Sequence, residues 1–437
     1  MELCGKDSSP RFRGLQYGCT MAGAAVIAEQ IKDSMVIIHG PVGCIHQNIA
    51  MQVSMALRRQ IINDQLAVPL SPPRMVSTCL QEADMVFGGE GRLKEVVLEV
   101  YQRHRPNLIS IVSACAVEVI GDNIRAIAKE LERELGIPIL VIESGGFMGG
   151  GYEKGVRNAC RDLIENLVAP PRDRFSDRVN ILGEKSMSSE VDWNYKEIKR
   201  WLDCLGISVH TRFAKETTLT EIKTMAESRL NLISSYETGL LVAQILKEKF
   251  GQEYLARDFP TGLAETEAWL EELGKYFRQE EKAAELIGQE KSRFYQTIQP
   301  LRMFLAGKRV IINTLDKNIE WLVELIDQAG MEFQAINIFS LMPEDTSAER
   351  INNLGISRPG LAIKKRTSLA EIEEEVKEAK PQLCLSFYPL ELDLPGTVFS
   401  TIPMVPRTGT AGTLGIAKEW ARLLRNPYYK ERWRTGD

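Results

Sequence analysis

The chain is 437 residues long, 44% hydrophobic, and carries a formal net charge of −5. Its length allows about two to four domains, and its acidic balance argues against nucleic-acid binding, which favours a basic patch. No apolar run reaches the roughly 20 residues of a membrane span, and the opening Met1-Glu2-Leu3-Cys4-Gly5-Lys6-Asp7 lacks a signal-peptide core. The expectation is a cytoplasmic protein with no membrane association, whose 8 cysteines are thiols rather than a disulfide framework.

Residues 1–18 are polar and glycine-bearing and read as an extended arm. Strand and helix then alternate through residue 170. Strands are expected at 35–40, 108–113 and 138–142, where apolar residues run without alternation, the pattern of a parallel strand buried on both faces. Helices are expected at 92–104, 121–135 and 152–167, and Pro170-Pro171-Arg172-Asp173-Arg174 reads as a linker. A second series places strands at 178–183, 207–213 and 230–234, and helices at 191–205 and 236–250. Residues 263–306, rich in Ala, Glu, Leu, Lys and Gln, read as long helices. A third series places strands at 309–313, 333–339, 383–387 and 402–405, with a last helix at 412–425. Three successive strand–helix series predict an α/β chain of three parallel-sheet domains, residues 1–170, 171–306 and 307–437, with their strand mouths around a central cavity.

The stretch from Met35 to Cys44 organises the first domain. The strand Met35-Val36-Ile37-Ile38 runs into His39 and the turn Gly40-Pro41-Val42-Gly43, whose glycines can take φ > 0 or admit a close neighbour. Cys44 follows, where the strand's C-terminal end opens; ligands collect in that crevice of open α/β sheets. Cys19 opens a helical run, and Cys115 ends the strand 108–113. These three thiols are 25 and 71 residues apart, which matches no short zinc motif. By spacing they could equally be small buried residues; their places at glycine turns point to a metal site, and thiolates are soft donors suited to iron–sulfur clusters. Three thiolates underfill a cluster, so the remaining ligands are expected from a second subunit.

Other residues have plainer readings beside functional ones. His46, Gln47, Asn48 and Gln52 follow Cys44 and either face a cavity or simply start a polar helix. Cys79 is a loop thiol or an extra ligand. Cys160, Cys204 and Cys384 are expected in the core, Cys4 in the arm, and His39 as a satisfied core histidine. The run Gly145-Gly146-Phe147-Met148-Gly149-Gly150-Gly151 could cradle a phosphate, but it lacks the G-x-x-x-x-G-K-[ST] pattern of nucleotide sites.

The run Ile31–Cys44 closely resembles the catalytic-component (component 1) subunits of nitrogenase and its relatives. So do Glu82-Ala83-Asp84-Met85-Val86-Phe87-Gly88-Gly89 and Cys115-Ala116-Val117-Glu118-Val119-Ile120-Gly121-Asp122-Asn123. The resemblance continues through Asn231-Leu232-Ile233-Ser234-Ser235-Tyr236 and the ending 415–427. It implies three Rossmann-like domains in a hetero-oligomer with a homologous second subunit. It also implies an interfacial iron–sulfur cluster on Cys19, Cys44 and Cys115, either an eight-iron P-cluster or a four-iron cluster. Electrons would come from an ATP-hydrolysing iron protein. The glycine turn at Gly145 and Gly146, with His46, Gln47, Asn48 and Gln52, is then expected beside a cluster or cofactor.

The sequence departs from nitrogenase where that enzyme holds its large cofactor through one Cys and one His. Ser235 fills the Cys position, and residues 402–407 contain no histidine; the four histidines are His39, His46, His104 and His210. A second large iron–sulfur cofactor, if held, is not ligated in the usual way. The resemblance therefore implies a reductase of a substrate other than dinitrogen, of the methylthio-alkane or tetrapyrrole reductase kind, or a non-ligating partner subunit. A scaffold for cofactor assembly is the alternative from a different class.

Overall fold

The computed structural model describes residues 18–62, 73–145, 151–315, 318–339, 361–365, 369–388, 390, 392, 394–403 and 405–425. The arm with Cys4, and Gly146, lie outside the described residues. The chain groups into two compact units, one within Gln16–Phe259 and one within Pro260–Asp437. Each of its three sheets draws its strands from one of the three segments expected from the sequence.

The first sheet begins with α1 (Thr20–Glu29), β1 (Ser34–His39), α2 (Val42–Ile62) and β2 (Met75–Ser77). It continues with α3 (Glu82–Phe87), α4 (Glu90–His104), β3 (Leu108–Ser113), α5 (Cys115–Ile120), α6 (Ile124–Leu135), β4 (Ile139–Ile142) and α7 (Tyr152–Leu167). Its strands are all parallel in the order β2-β1-β3-β4. Every residue of β1, β3 and β4 is buried. That explains the unbroken apolar runs: helices cover both faces of the sheet, so neither face selects polar residues. Local signals set the helix ends. Asn123 Oδ1 accepts the Ala126 N–H at 3.2 Å at the start of α6, and Gly136 closes it in a left-handed conformation. Between these caps Ile124, Ile127, Ala128 and Leu131 recur on one buried face.

The second sheet belongs to the same unit and comprises β5 (Arg178–Leu182), α8 (Val191–Leu205), β6 (Ser208–Arg212), α9 (Leu219–Thr224), β7 (Leu230–Ile233), α10 (Tyr236–Phe250) and β8 (Glu253–Tyr254). Its order is β6-β5-β7-β8, again parallel. Backbone bonds join it to the first sheet's segment: Lys32 N–H donates to Thr217 O at 2.8 Å, and Thr217 N–H to Gln30 O at 3.1 Å. Asp33 Oδ1 accepts the Leu219 N–H at 3.0 Å.

The other unit opens with α11 (Leu263–Phe277) and α12 (Glu280–Leu305). It builds a third parallel sheet from β9 (Arg309–Leu315), β10 (Glu332–Phe339), β11 (Ile363–Lys365), β12 (Leu383–Ser386) and β13 (Val398–Thr401), in the order β11-β10-β9-β12-β13. The helix α13 (Ile319–Ala329) joins β9 to β10, and helices Leu369–Ala379 and Gly409–Arg425 complete the unit. The last strand is Val398–Thr401 rather than the expected 402–405, a stretch that contains Pro403; proline cannot donate to a ladder. The short strands β2 and β8 were not legible: two or three residues show no period.

The crossing of α1 and α7 is the tightest helix contact at the first sheet. A Cβ on Gly23 would lie 2.0 Å from Tyr152 O, and a Cβ on Gly155 would lie 1.7 Å from Thr20 O and 2.8 Å from Ala24 N. The obstacles are backbone atoms, so neither site can relax by a rotamer change. Gly155→Ala is therefore expected to destabilise the protein by about 1–3 kcal/mol, read as a fall in thermal midpoint.

Asp162, on α7, carries a carboxyl pushed up to about 6 from an ordinary value of 3.8; burial is the main cause, partly opposed by Arg125. A raised folded value means that the folded state holds the proton more tightly than the unfolded chain. The favourable contribution is then full below 3.8 and lost as pH rises through 6. Asp162→Asn should raise the thermal midpoint by about 2 °C at pH 7.5 and leave it unchanged near pH 4; equal midpoints at both pH values would count against this.

Candidate metal centre

The first sheet reverses its strand order between β1 and β3, so the crevice at their C-terminal ends is the switch point of the sheet. Two of the three candidate ligands emerge there. The chain leaves β1 at His39, passes Gly40-Pro41 and enters α2 at Val42, placing half-buried Cys44 in the first turn of that helix. It leaves β3 at Ser113 and enters α5 at Cys115, also half-buried. The two turns touch: Ala114 N–H donates to His39 O at 2.9 Å, and a Cβ on Gly40 would lie 2.4 Å from the Ala114 Cβ. Gly40 is thus required for close approach. Neither Gly40 nor Gly43 takes a left-handed conformation, contrary to one reading of the turn; Gly43 lies within α2, where a Cβ would meet open space. Cys19 stands at the N-cap of α1, exposed.

The three thiols are neighbours. The Cys44 thiol is pushed above its usual range, first by burial and then by the charges of Cys19 and Cys115. A cation beside them relieves that mutual repulsion, because the thiolate rather than the thiol is the ligand. Among the described residues, no group of three or more His, Cys, Asp or Glu side chains converges tightly enough to hold a single metal ion. Soft sulfur donors spread over one crevice fit a cluster of several irons, in which different irons take different thiolates.

The other cysteines separate from this set. Cys160 and Cys384 are buried and their thiols are pushed up to about 12 by desolvation, which marks both as inert core residues, as expected. Cys204, expected in the core, is instead exposed near the end of α8. Cys79 is half-buried with a left-handed backbone, φ 49°. It sits just after β2, where Ser77 Oγ donates to Gly40 O at 3.2 Å.

The polar residues of α2 divide by face. Cys44, Asn48 and Gln52 recur every four residues and share one side of the helix. His46 and Gln47 are exposed, so the structure does not gather all four predicted residues at one place. Asn48 is buried and its Nδ2 donates to Cys44 O at 2.9 Å. Asn48 Oδ1 and Gln52 Nε2 are buried without a hydrogen-bond partner among the described residues. Such orphaned groups are costly unless something pairs with them. Gly145 is held by α5: Glu118 accepts its N–H and also the Ser113 hydroxyl at 3.3 Å. A Cβ on Gly145 would fall 1.4 Å from Glu118 Oε2, so the Glu118 carboxylate packs directly on the Gly145 backbone. Four large apolar side chains surround the cysteine turns in the open: Val42, Val86, Phe87 and Val119, with Phe87 88% exposed.

A feature that sequence reasoning missed lies beneath these turns. His39 Nε2 is 3.0 Å from Asp122 Oδ2, and both side chains are almost wholly buried. Asp122 also accepts the Gly89 N–H. Both residues stand in runs that carry the family resemblance, but nothing in either run signals an 83-residue contact. At the mouth of the second sheet, Ser235 is the N-cap of α10, directly beyond β7, half-buried and with no capping bond from its side chain.

The family model "Nitrogenase component 1 type Oxidoreductase" matches residues 19–424. The chain is 29% identical over 428 residues to the nitrogenase molybdenum-iron protein alpha chain of Methanothermobacter marburgensis, covering 95% of this chain and 88% of that protein. It is 25% identical over 437 residues to the nitrogenase iron-molybdenum cofactor biosynthesis protein NifE of Methanococcus maripaludis, covering 98% and 87%. Among solved structures, nitrogenase Cp1 at pH 6.5 superposes with a TM-score of 0.71 over 100% of this chain and 92% of that chain at 18% identity, a likeness of fold. With an α/β fold of three parallel sheets and a family match from Cys19 to the last described helix, the chain belongs to the nitrogenase component 1 type oxidoreductases.

Proposed function

We propose that this chain is a cytoplasmic subunit of a nitrogenase-like reductase, with Cys19, Cys44 and Cys115 holding an iron–sulfur cluster at the interface with a homologous second subunit. The observation that supports the reading is the placement of Cys44 and Cys115 in the first turns of the two helices that leave the switch point of the first sheet, with Cys19 near enough to act on the Cys44 thiol. When bound, the cluster supplies one-electron transfer. The protein's part is to hold three soft donors in place and to keep bulk water from them. Cys44 and Cys115 are half-buried, while Cys19 is exposed, and this open side is where a second subunit would supply the remaining ligands. The exposed Val42, Val86, Phe87 and Val119 make that rim apolar. Reduction by an ATP-dependent iron protein follows from the family.

The substrate on this reading is not dinitrogen, and a methylthio-alkane reductase-like activity is favoured. Ligand chemistry supports this. A serine hydroxyl at 235 is a hard, neutral donor, poor for an iron centre that a thiolate would bind, and residues 402–407 offer no imidazole. The orphaned polar atoms of Asn48 and Gln52, four residues apart in line with Cys44, would contact whatever polar group sits beyond the cluster. A second reading, a scaffold that holds a cofactor precursor without turnover, is supported by the match to NifE over 98% of this chain.

Cys44→Ala should lower the iron and sulfide content of anaerobically purified protein to less than half and remove the cluster's electron paramagnetic resonance signal, because a lost thiolate leaves iron open to solvent. Full iron content in that variant would overturn the ligand assignment. Purified with its second subunit and an iron protein, the complex should consume ATP and release methane-thiol-type products from a methylthio-alkane while forming no ammonia. Sustained ammonia formation would sink the substrate reading; cofactor release to an acceptor protein with no turnover of any substrate would favour the scaffold.

A further inference from the structure

His39 touches α5 beyond both of its ends. Its backbone carbonyl accepts the N–H of Ala114, the residue before Cys115, at 2.9 Å. Its ring Nε2 meets Asp122 Oδ2, two residues past the last turn of α5, at 3.0 Å. The side chains of the pair are 0% and 3% exposed. His39 is also five residues ahead of Cys44, separated from it only by the Gly40-Pro41 turn and the first residues of α2. One residue therefore connects the segment bearing Cys44 to both ends of the helix bearing Cys115. We propose that His39 and Asp122 form a positioning pair that sets the separation of Cys44 and Cys115, a role that rests on the reading of these cysteines as shared ligands.

The hydrogen bonds close around a neutral ring. With the ring neutral, Nε2–H donates to the Asp122 carboxylate, and Nδ1 faces the Thr78 hydroxyl 3.1 Å away, which also lies 3.4 Å from Gly40 O. Burial favours the neutral ring, although Asp122 pulls the other way. Thr78 Oγ1 in turn accepts the Gly40 N–H at 3.0 Å, so the ring is fastened to the turn that leads to Cys44. Asp122 is fixed from its far side by the Gly89 N–H, 3.1 Å from each carboxylate oxygen. A Cβ on Gly89 would lie 2.9 Å from Asp122 Oδ2 and 3.0 Å from His39 Cε1, so the pair packs directly on the Gly89 backbone. Cys19 is outside this arrangement: its helix is seated on α7 by the Gly23 and Gly155 contacts.

That independence supplies the test. Metal-free, anaerobic protein is treated with dibromobimane, which forms a fluorescent bridge between two thiols within reach of one another, and bridged peptides are counted by mass spectrometry. The wild type should form both Cys19–Cys44 and Cys44–Cys115 bridges. His39→Gln and Asp122→Asn should each slow the Cys44–Cys115 bridge by about tenfold, the equivalent of one lost charge-assisted hydrogen bond, and leave the Cys19–Cys44 bridge unchanged. Thr78→Val, which removes the hydroxyl shared by Nδ1 and the Gly40 N–H, should also slow the Cys44–Cys115 bridge and leave the Cys19–Cys44 bridge unchanged. Asp122→Asn keeps the shape of the side chain and an acceptor for Gly89 N–H, so it carries the test even if His39→Gln does not fold. A wild-type rate for the Cys44–Cys115 bridge in Asp122→Asn, an equal fall in both bridges, or no such bridge in the wild type overturns the proposal. Because no metal is present in the assay, the iron content of the wild-type protein judges the cluster reading separately.

Discussion

Backbone-to-backbone contact between α1 and α7 is the constraint on which the rest of the first unit depends. Helices that meet through side chains stay 8–10 Å apart; Gly23 and Gly155 remove the side chains, and the carbonyls of Thr20 and Tyr152 fill the space. This contact presses α1 against β1 and β3, buries nine of its ten residues, and leaves its N-cap, Cys19, exposed. One close crossing thus sets the position of a thiol beside the first sheet.

The sheet itself sets the other two thiols. In a parallel sheet every strand ends on the same side, and a reversal of strand order opens a gap there that no helix covers. β1 and β3 flank that gap, and the sequence puts Cys44 and Cys115 within the first turn of the helix after each. The cost of this arrangement is electrostatic. Cys44 is both partly desolvated and beside two like groups, so its thiol resists ionisation until a cation shares the site. The polar ledge of Asn48 and Gln52 continues the same helix face away from the thiols, with polar atoms still unpaired among the described residues. Below the gap, the apolar sheet is interrupted by one buried ionisable pair, His39 and Asp122, fully hydrogen-bonded on both sides.

The second sheet repeats the plan with different chemistry. Ser235 follows β7 at the switch point of the order β6-β5-β7-β8, the place where Cys115 stands in the first sheet. A hydroxyl there can orient a polar ligand but binds iron weakly compared with a thiolate. Fold and ligand chemistry are therefore separable in this chain: the fold supplies equivalent mouths, and the residue at each mouth decides what it can hold.

Much of this was legible in the amino-acid order. Largely apolar runs without alternation at 35–40, 108–113 and 138–142 read as strands buried on both faces, and the structure buries every residue of the strands found there. The Gly-Pro-Val-Gly-Cys and Cys-Ala-Val-Glu runs named the thiols and the family. Other features were not legible, because they depend on atoms far apart in the chain. No periodicity shows that a carboxylate at 122 will reach the ring at 39, that Glu118 will hold the Gly145 N–H, or that Cys204 faces outward while Cys160 is sealed in. Sequence position determined which residues stand at strand ends; only the tertiary packing decided which of them meet, because hydrogen bonds and steric exclusion act over a few ångströms of space irrespective of separation along the chain.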